Sequence, residues 1–457
     1  MADPFLLSAL RFLELGEELR RQGRLAEAVA AYRSVLDTCP DTGPAWMGLG
    51  LAAEGLGDIP TAGEAFAQAV RLDPKKVEAH LGLASALGAQ GQQAGAIQAW
   101  LAAKRLQPGD FRIHNIVWQA LNEIEAEGLD YAGLIAKGNR MRQAGQATQA
   151  LKAYRQAQDL APGEPFAFSR AGCLLAKTGD LGAAEAEFAK ARALCDWVES
   201  GIRLAPEFFT ALPAYRHRLD WRRQAQGDGA LAVIGCDAGY FKRYAARLKE
   251  SLDRHEGGTV GLHAHLVHPD AECLAQAQEL GMGVSQETPD FAGQSRNFVN
   301  TYYASARFLA LPELLAAYRR PLLVMDVDAQ VQKPLAPLWD ILKVSDMAIR
   351  RWQGVMVDPW NEPQANLVGV NPTPMGQAFA ASLAQFLAHF VAKGQLFGFF
   401  DQTAIYSALK ADPALARLRE GVFPQHAYGY PLNRGSAAED LVFAPELLVG
   451  EVKTPWP

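Results

Sequence analysis

Three prolines, Pro40, Pro74 and Pro108, recur at a spacing of 34 residues, and each closes an Ala-rich stretch of helical sequence. A period of that length decides architecture, because one unit is too small to bury its own apolar face and must stack on the next. In register, the first copy carries Phe12, Leu15, Gly16, Ala28 and Tyr32, and the second Trp46, Leu49, Gly50, Ala62 and Phe66. The third has Leu83, Ala96 and Trp100. After an insertion of about twenty residues, a fourth copy has Leu134, Gly138, Ala150, Tyr154 and Pro162, and a fifth Phe168, Gly172, Ala184 and Phe188. Each copy is broken once, at Gly23, Gly57, Gly91, Gly145 or Gly179, where a turn between two helices tolerates positive φ. Small residues such as Gly50 and Ala62 let the two helices approach, the aromatic fills the gap to the next hairpin, and the proline ends the second helix. The repeat aromatics are accordingly read as core.

This pattern resembles tetratricopeptide repeats, and the resemblance implies a concave groove for a peptide or protein, without naming it. The insertion, Gly109 to Asp130, places Ile113, Val117, Leu121 and Ile124 at helical spacing and predicts an added helix. Residues 1–196 are expected to form the repeat domain. Residues 197–228, which mix aromatics with Arg216, Arg218, Arg222 and Arg223, are expected to form a capping helix or two and a linker. A chain of 457 residues has room for one more domain, expected over 229–457.

From Leu231 the period changes. LAVIGCD reads as a strand, Tyr240 to Leu252 as a helix, VGLHAHLVHP as a strand, AECLAQAQEL and ASARFLALPELLAAY as helices, and RPLLVMDVDAQV as a buried strand ending in acids. This alternation predicts an α/β fold on a largely parallel sheet, whose ligands bind beyond the carboxyl ends of strands. Asp326 and Asp328 fall there. Two carboxylates at i and i+2 can both reach one hard divalent cation, and a bound diphosphate brings further oxygens. The bland alternative for such a pair is a capped turn.

The order of segments resembles the A-type nucleotide-sugar glycosyltransferases, family eight and its nucleotide-diphospho-sugar transferase relatives in particular. The resemblance rests on CDAGY, YYASARFLALPELL, LLVMDVDAQVQKPLAPLWD, ANLVGVNPTPMGQAF and FFDQTAIYSAL, in that order. It implies a Rossmann-like A-type transferase fold after the solenoid, so an α plus α/β chain. It also implies Mn2+ or Mg2+ held by Asp326 and Asp328, Asp237 and Tyr240 at the base, Tyr303 and Arg307 toward the diphosphate, and Asn366 on the acceptor-side wall of the donor site. Asp401 and Gln402 would attend the transferred sugar and the attacking hydroxyl. The sequence departs from the family in two places: its Asn-x-Gly reads Asn366-Leu367-Val368, and its closing metal-ligand His has no counterpart in the tail GEVKTPWP. His426 is the nearest substitute.

The expected activity is therefore metal-dependent sugar transfer, with retention by family resemblance, from a nucleotide sugar such as a uridine diphosphate sugar to a hydroxyl on a protein or peptide recruited by the repeats. Two rivals stand beside it: a sugar-nucleotide-binding scaffold with weakened catalysis, and a haloacid-dehalogenase-like phosphatase using DVDAQV, which lacks the later acidic pair. His263, His265 and His268 are read as structural. A net charge of -6 argues against nucleic acid as a partner. No apolar run is long enough to span a bilayer. The five scattered cysteines and the acidic start, without a signal-peptide pattern, predict a cytoplasmic protein.

Overall fold

The computed structural model describes residues 4–107, 110–124, 128–195, 201–215, 219–226, 229–352, 357–424 and 443–445. The chain divides into two compact units, Met1–Leu174 and Leu175–Pro457. The division falls inside the fifth repeat, at a point where the sequence shows no break.

The first unit is a stack of helical hairpins: α1 (Pro4–Arg21), α2 (Leu25–Thr38), α3 (Gly43–Gly55), α4 (Ile59–Leu72), α5 (Val77–Ala89), α6 (Gln93–Leu106), α7 (Phe111–Glu123), α8 (Tyr131–Gln143), α9 (Ala147–Leu160) and most of α10 (Pro165–Lys177). The turn glycines have positive φ, 74° at Gly23, 78° at Gly57, 75° at Gly91 and 71° at Gly145, as the turns require. Tyr32, Phe66 and Tyr154 are fully buried. The small residues exist to admit these rings. A Cβ at Gly16 or Gly48 would collide with Tyr32, one at Gly50 or Gly82 with Phe66, and one at Gly138 with Tyr154.

The insertion is a helix, as its periodicity predicts, but it is not foreign to the repeat. Phe111 opens α7 34 residues after Val77 opens α5, so α7 keeps the register of a first helix. Its Asp110 cap accepts from the backbone N–H of Arg112 and Ile113. Tyr131 then opens α8 only 20 residues later, so this copy lacks a second helix. The glycines that flank Tyr32 and Phe66 become Ala84 and Ile116 beside Trp100, and Trp100 is only half-buried. A cavity of about 270 Å³ lies there, lined by Trp100, Ile97, Ile116 and Ile124 among others.

The second unit opens with the rest of α10 and α11 (Leu181–Leu194), followed by α12 (Pro206–Thr210). Then come β1 (Asp220–Arg223), β2 (Leu231–Asp237), α13 (Ala238–Glu256), β3 (Gly261–Val267), α14 (Ala271–Glu279), β4 (Gly283–Glu287), α15 (Arg296–Tyr318), β5 (Leu322–Met325), β6 (Ala329–Val331), α16 (Ala336–Lys343), β7 (Met347–Arg351), β8 (Pro363–Val370), α17 (Pro374–Val391), α18 (Phe400–Ala411), β9 (Glu420–Val422) and β10 (Phe443–Pro445). The expected capping helices are corrected in part: α12 is a single turn and a half, and Arg222 and Arg223 lie in a strand, β1, which pairs antiparallel with β4. Arg223 is fixed there by donating to the carbonyls of Met282 and Ala277, an edge-strand anchor that helical periodicity cannot reveal. Arg216 and Arg218 lie outside the described residues.

The main sheet has the order β1-β4-β3-β2-β5-β8-β7-β9. Strands β2, β3, β4 and β5 are parallel, and β8 runs antiparallel to both β5 and β7. Two cores sandwich it. Leu231 and Val233 of β2 face the layer of α15, α17 and α18, while Ala232, Ile234 and Cys236 face α13, α14 and α16. The mixed sheet and its helices make the chain α plus α/β.

Candidate functional site

The chain winds outward from β2 through β3 to β4, and then returns to place β5 on the opposite side of β2. The strand order therefore reverses between β2 and β5, and the crevice beyond their carboxyl ends is where an α/β sheet takes its ligand. β2 ends on Asp237 and β5 ends just before Asp326. Asp237 and Asp326 thus stand at the ends of adjacent strands.

The stretch expected to be one strand breaks at the acids. Ala329 N–H donates to Asp326 O at 3.3 Å, closing a tight turn between β5 and β6, in which Val327 is buried and both Asp326 and Asp328 are half-buried. The turn is held from behind: Ser251 Oγ on α13 accepts from Val331 N at 3.0 Å, and Glu256 Oε1 accepts from Leu335 N at 2.6 Å. Two partly accessible carboxylates thus stand on one anchored turn. Such a donor set fits a hard divalent cation, and it leaves room in the shell for ligand oxygens. Among the described residues, no three His, Cys, Asp or Glu side chains gather as a metal-ligand group. His426 lies outside the described residues.

Arg307, on α15, is 4% exposed. It pairs with Asp326 at 2.5 Å and lies 3.6 Å from Asp401, and it donates to the carbonyls of Met325 at 3.3 Å and Ala365 at 3.2 Å. It reaches this position because Gly235 on β2 has no side chain: a Cβ there would sit 2.8 Å from Arg307 Cβ and 2.9 Å from its N. Arg307 therefore links β5, β8 and α18. The role of Gly235 was missed at the level of sequence, where a lone glycine in an apolar run carries no distinguishing signal.

Asp401 does not cap its helix. Phe399 holds that position, exposed and left-handed at φ 63°, a strained conformation for a bulky residue. Asp401 lies in the first turn with its side chain 12% exposed, and burial pushes its carboxyl up to about 6, with Asp326 adding to the rise and Arg307 opposing it. The Gln402 amide nitrogen, in the orientation that satisfies both ends of the group, donates to Pro363 O at 2.8 Å and Trp360 O at 3.1 Å. Its polar end holds the entry to β8. Asn366, on β8, keeps a buried Oδ1 that no described residue satisfies. Asp237 caps α13, accepting from Gly239 N at 2.7 Å and Tyr240 N at 3.2 Å, and Tyr240 is 44% exposed on that first turn. Tyr303 is half-buried, and burial followed by the charge of Asp237 raises its hydroxyl above the usual range.

The three histidines divide. His263 and His265 are buried in a chain of bonds: His263 Nδ1 to Tyr318 Oη at 2.8 Å, His263 Nε2 and His265 Nδ1 each to Ser285 Oγ at 2.9 Å. They are structural, as expected. His268 is exposed at the end of β3.

The amino-terminal region carries tetratricopeptide repeats: the family described as Tetratricopeptide repeat matches residues 13–76 and 48–111. Among solved structures, the chain is similar to the first tetratricopeptide domain of the human RPAP3 protein, at 22% identity, covering 25% of this chain and 89% of that one with a TM-score of 0.24. It is also similar to the Arabidopsis OM64 tetratricopeptide domain, at 17% identity over 26% and 99% with a TM-score of 0.25. A thermophilic tetratricopeptide protein of Thermus thermophilus is 22% identical over 41% and 91%, with a TM-score of 0.22. No curated protein matches the chain. Among the described residues, no helix is long and apolar enough to cross a membrane, and Cys39, Cys236 and Cys273 are not in disulfides.

Proposed function

We propose that the carboxyl-terminal unit transfers a sugar from a nucleotide-diphosphate donor to a hydroxyl acceptor, assisted by Mn2+ or Mg2+, and that the repeats recruit a protein or peptide that bears the acceptor. One observation carries the reading: Asp326 and Asp328 occupy an anchored turn at the point where the sheet order reverses, and Arg307 ties that turn to Asp401. Arg307 is shared by Asp326 and Asp401, and Asp237 and Asp328 lie near the same strand ends, so carboxylates outnumber the guanidinium there and an anionic diphosphate needs a cation to enter. When bound, the metal would neutralise charge growing on the leaving diphosphate. Asp326 and Asp328 would hold it. Asp237 and Tyr240, at the end of β2, lie where a nucleoside would rest, and the unsatisfied Asn366 Oδ1 offers an acceptor to a hydroxyl of the donor sugar. Asp401, with a carboxyl raised to about 6, is poised to orient the attacking hydroxyl near neutral pH. Gln402, whose amide nitrogen is bonded at the entry to β8, would stand beside the transferred sugar.

A second reading, a scaffold that binds the donor without turnover, is favoured by the metal turn having two described carboxylates and no described third ligand. Calorimetric titration with nucleotide diphosphates and their sugars, with and without Mn2+, tests both. Metal-dependent binding with donor hydrolysis or transfer supports the transferase, binding without either supports the scaffold, and no binding of any such nucleotide overturns both.

A further inference from the structure

His268 follows the last residue of β3, and its neighbours in register are the ends of β2 and β4. Val267 pairs with Asp237 on one side and with Glu287 on the other, and His268 N donates to Glu287 O at 2.9 Å. Its backbone is left-handed at φ 52°, a conformation that a side chain resists and that surrounding structure must impose. The ring is exposed, yet it has one fixed tautomer. Nε2 lies 2.8 Å from Pro289 O, and since a carbonyl only accepts, Nε2 carries a proton, which leaves Nδ1 of the neutral ring as an acceptor. The ring lies 5.4 Å from that of Phe291, which lies 5.8 Å from Tyr303. Tyr303 in turn feels the charge of Asp237. Asp237, Tyr303, Phe291 and His268 thus succeed one another near the ends of β2 and β3, a row of partly buried rings that ends on an exposed imidazole.

We propose that His268 reads the nucleobase of the donor, its Nδ1 accepting the imide N3–H of a uracil ring. This rests on the nucleotide-donor reading above. Cytosine has an acceptor at N3 and would meet Nδ1 lone pair to lone pair, so the histidine selects an imide base as much by repelling its rival as by binding it. The test is calorimetry of UDP and CDP, each with Mn2+, on the whole chain and on two variants. His268→Gly relieves the left-handed strain and removes the ring, so the loop keeps its course. His268→Phe keeps a ring and the strain but removes the acceptor. The wild-type chain is expected to bind UDP about tenfold more tightly than CDP, and both variants to lose about tenfold for UDP with CDP unchanged or improved. Equal binding of the two nucleotides by the wild type, or an unchanged preference in either variant, overturns the assignment of His268 while leaving the donor reading intact. No binding of either nucleotide by the wild type overturns the donor reading, and this inference with it.

Discussion

Asp326 is bound to a buried cation, the Arg307 guanidinium. Its carboxylate neutralises the buried Arg307, so Asp326→Ala leaves that cation to Asp401 and two carbonyls. Breaking such a pair costs about 3 kcal/mol. Asp328 is half-buried on the same turn, and Asp328→Asn keeps the shape of its side chain, so the variant is expected to lower Mn2+-dependent donor binding and turnover about 100-fold or more while its thermal midpoint falls less than that of Asp326→Ala. Loss of activity in Asp326→Ala alone, with Asp328→Asn fully active, would reduce the acids to a structural turn. Asp401 gives a prediction of the opposite sign on stability. Its folded carboxyl titrates near 6, above the ordinary range, so the folded state binds the proton more tightly than the unfolded one, and the stability this group supports is present at low pH and lost as pH rises toward 6. Asp401→Asn should therefore exceed the wild type in stability by about 1–2 kcal/mol at pH 7.5, with the gap closing toward pH 4.5 in urea titrations. A gap that widens on acidification would mean that Arg307, rather than burial, governs the carboxyl.

At the scale of elements, the repeat was legible because its period writes itself into residue types: a bulky ring at one position forces glycine at two others. That coupling predicts unequal responses to alanine at equivalent positions. Gly48→Ala drives a Cβ into Tyr32 and should destabilise the first unit by about 2 kcal/mol, whereas Ile116→Ala, at the equivalent position beside the loosely seated Trp100, should change it by less than about 1 kcal/mol. Equal effects in urea unfolding followed by tryptophan fluorescence would show that α7 does not hold repeat register. The second unit was legible where strand and helix alternate and illegible where tertiary pairing alone makes a strand. β1 has no apolar alternation, and it exists because its backbone pairs with β4 and Arg223 reaches carbonyls there. The turn at Asp326 was hidden inside an apolar run, since Val327 and Ala329 are as buried as the strand residues before them. The left-handed residues His268 and Phe399 were invisible, because neither is glycine and the strain is imposed from outside the local sequence.

For the whole molecule, sequence periodicity and packing divide the chain at different places. The period assigns α11 to the fifth repeat, and so to residues 1–196, yet compactness assigns it to the unit beginning at Leu175. Bonds on α11 explain the difference. The Glu185 carboxylate accepts from Leu204 N at 2.6 Å and pairs with Arg192, which donates to Ile202 O at 2.8 Å. The segment so held enters the core of the second unit: Arg203 N donates to Ser407 Oγ at 3.1 Å, and Gly201 lies so close to Phe400 that a Cβ would sit 2.6 Å from the ring. Phe400 opens α18, the helix that carries Asp401. A repeat helix thus buttresses the candidate site through a few residues of chain. Glu185→Gln keeps the shape but weakens a charge-assisted bond and an ion pair, and should lower the stability of the second unit by about 1–3 kcal/mol. Because a chain of two units need not unfold in one step, the measurement is calorimetric unfolding of the full chain, resolved into its transitions. The transition reported by the second unit should move down while that of the first keeps its midpoint. A shift confined to the first unit would return α11 to the repeats and leave the site without this support.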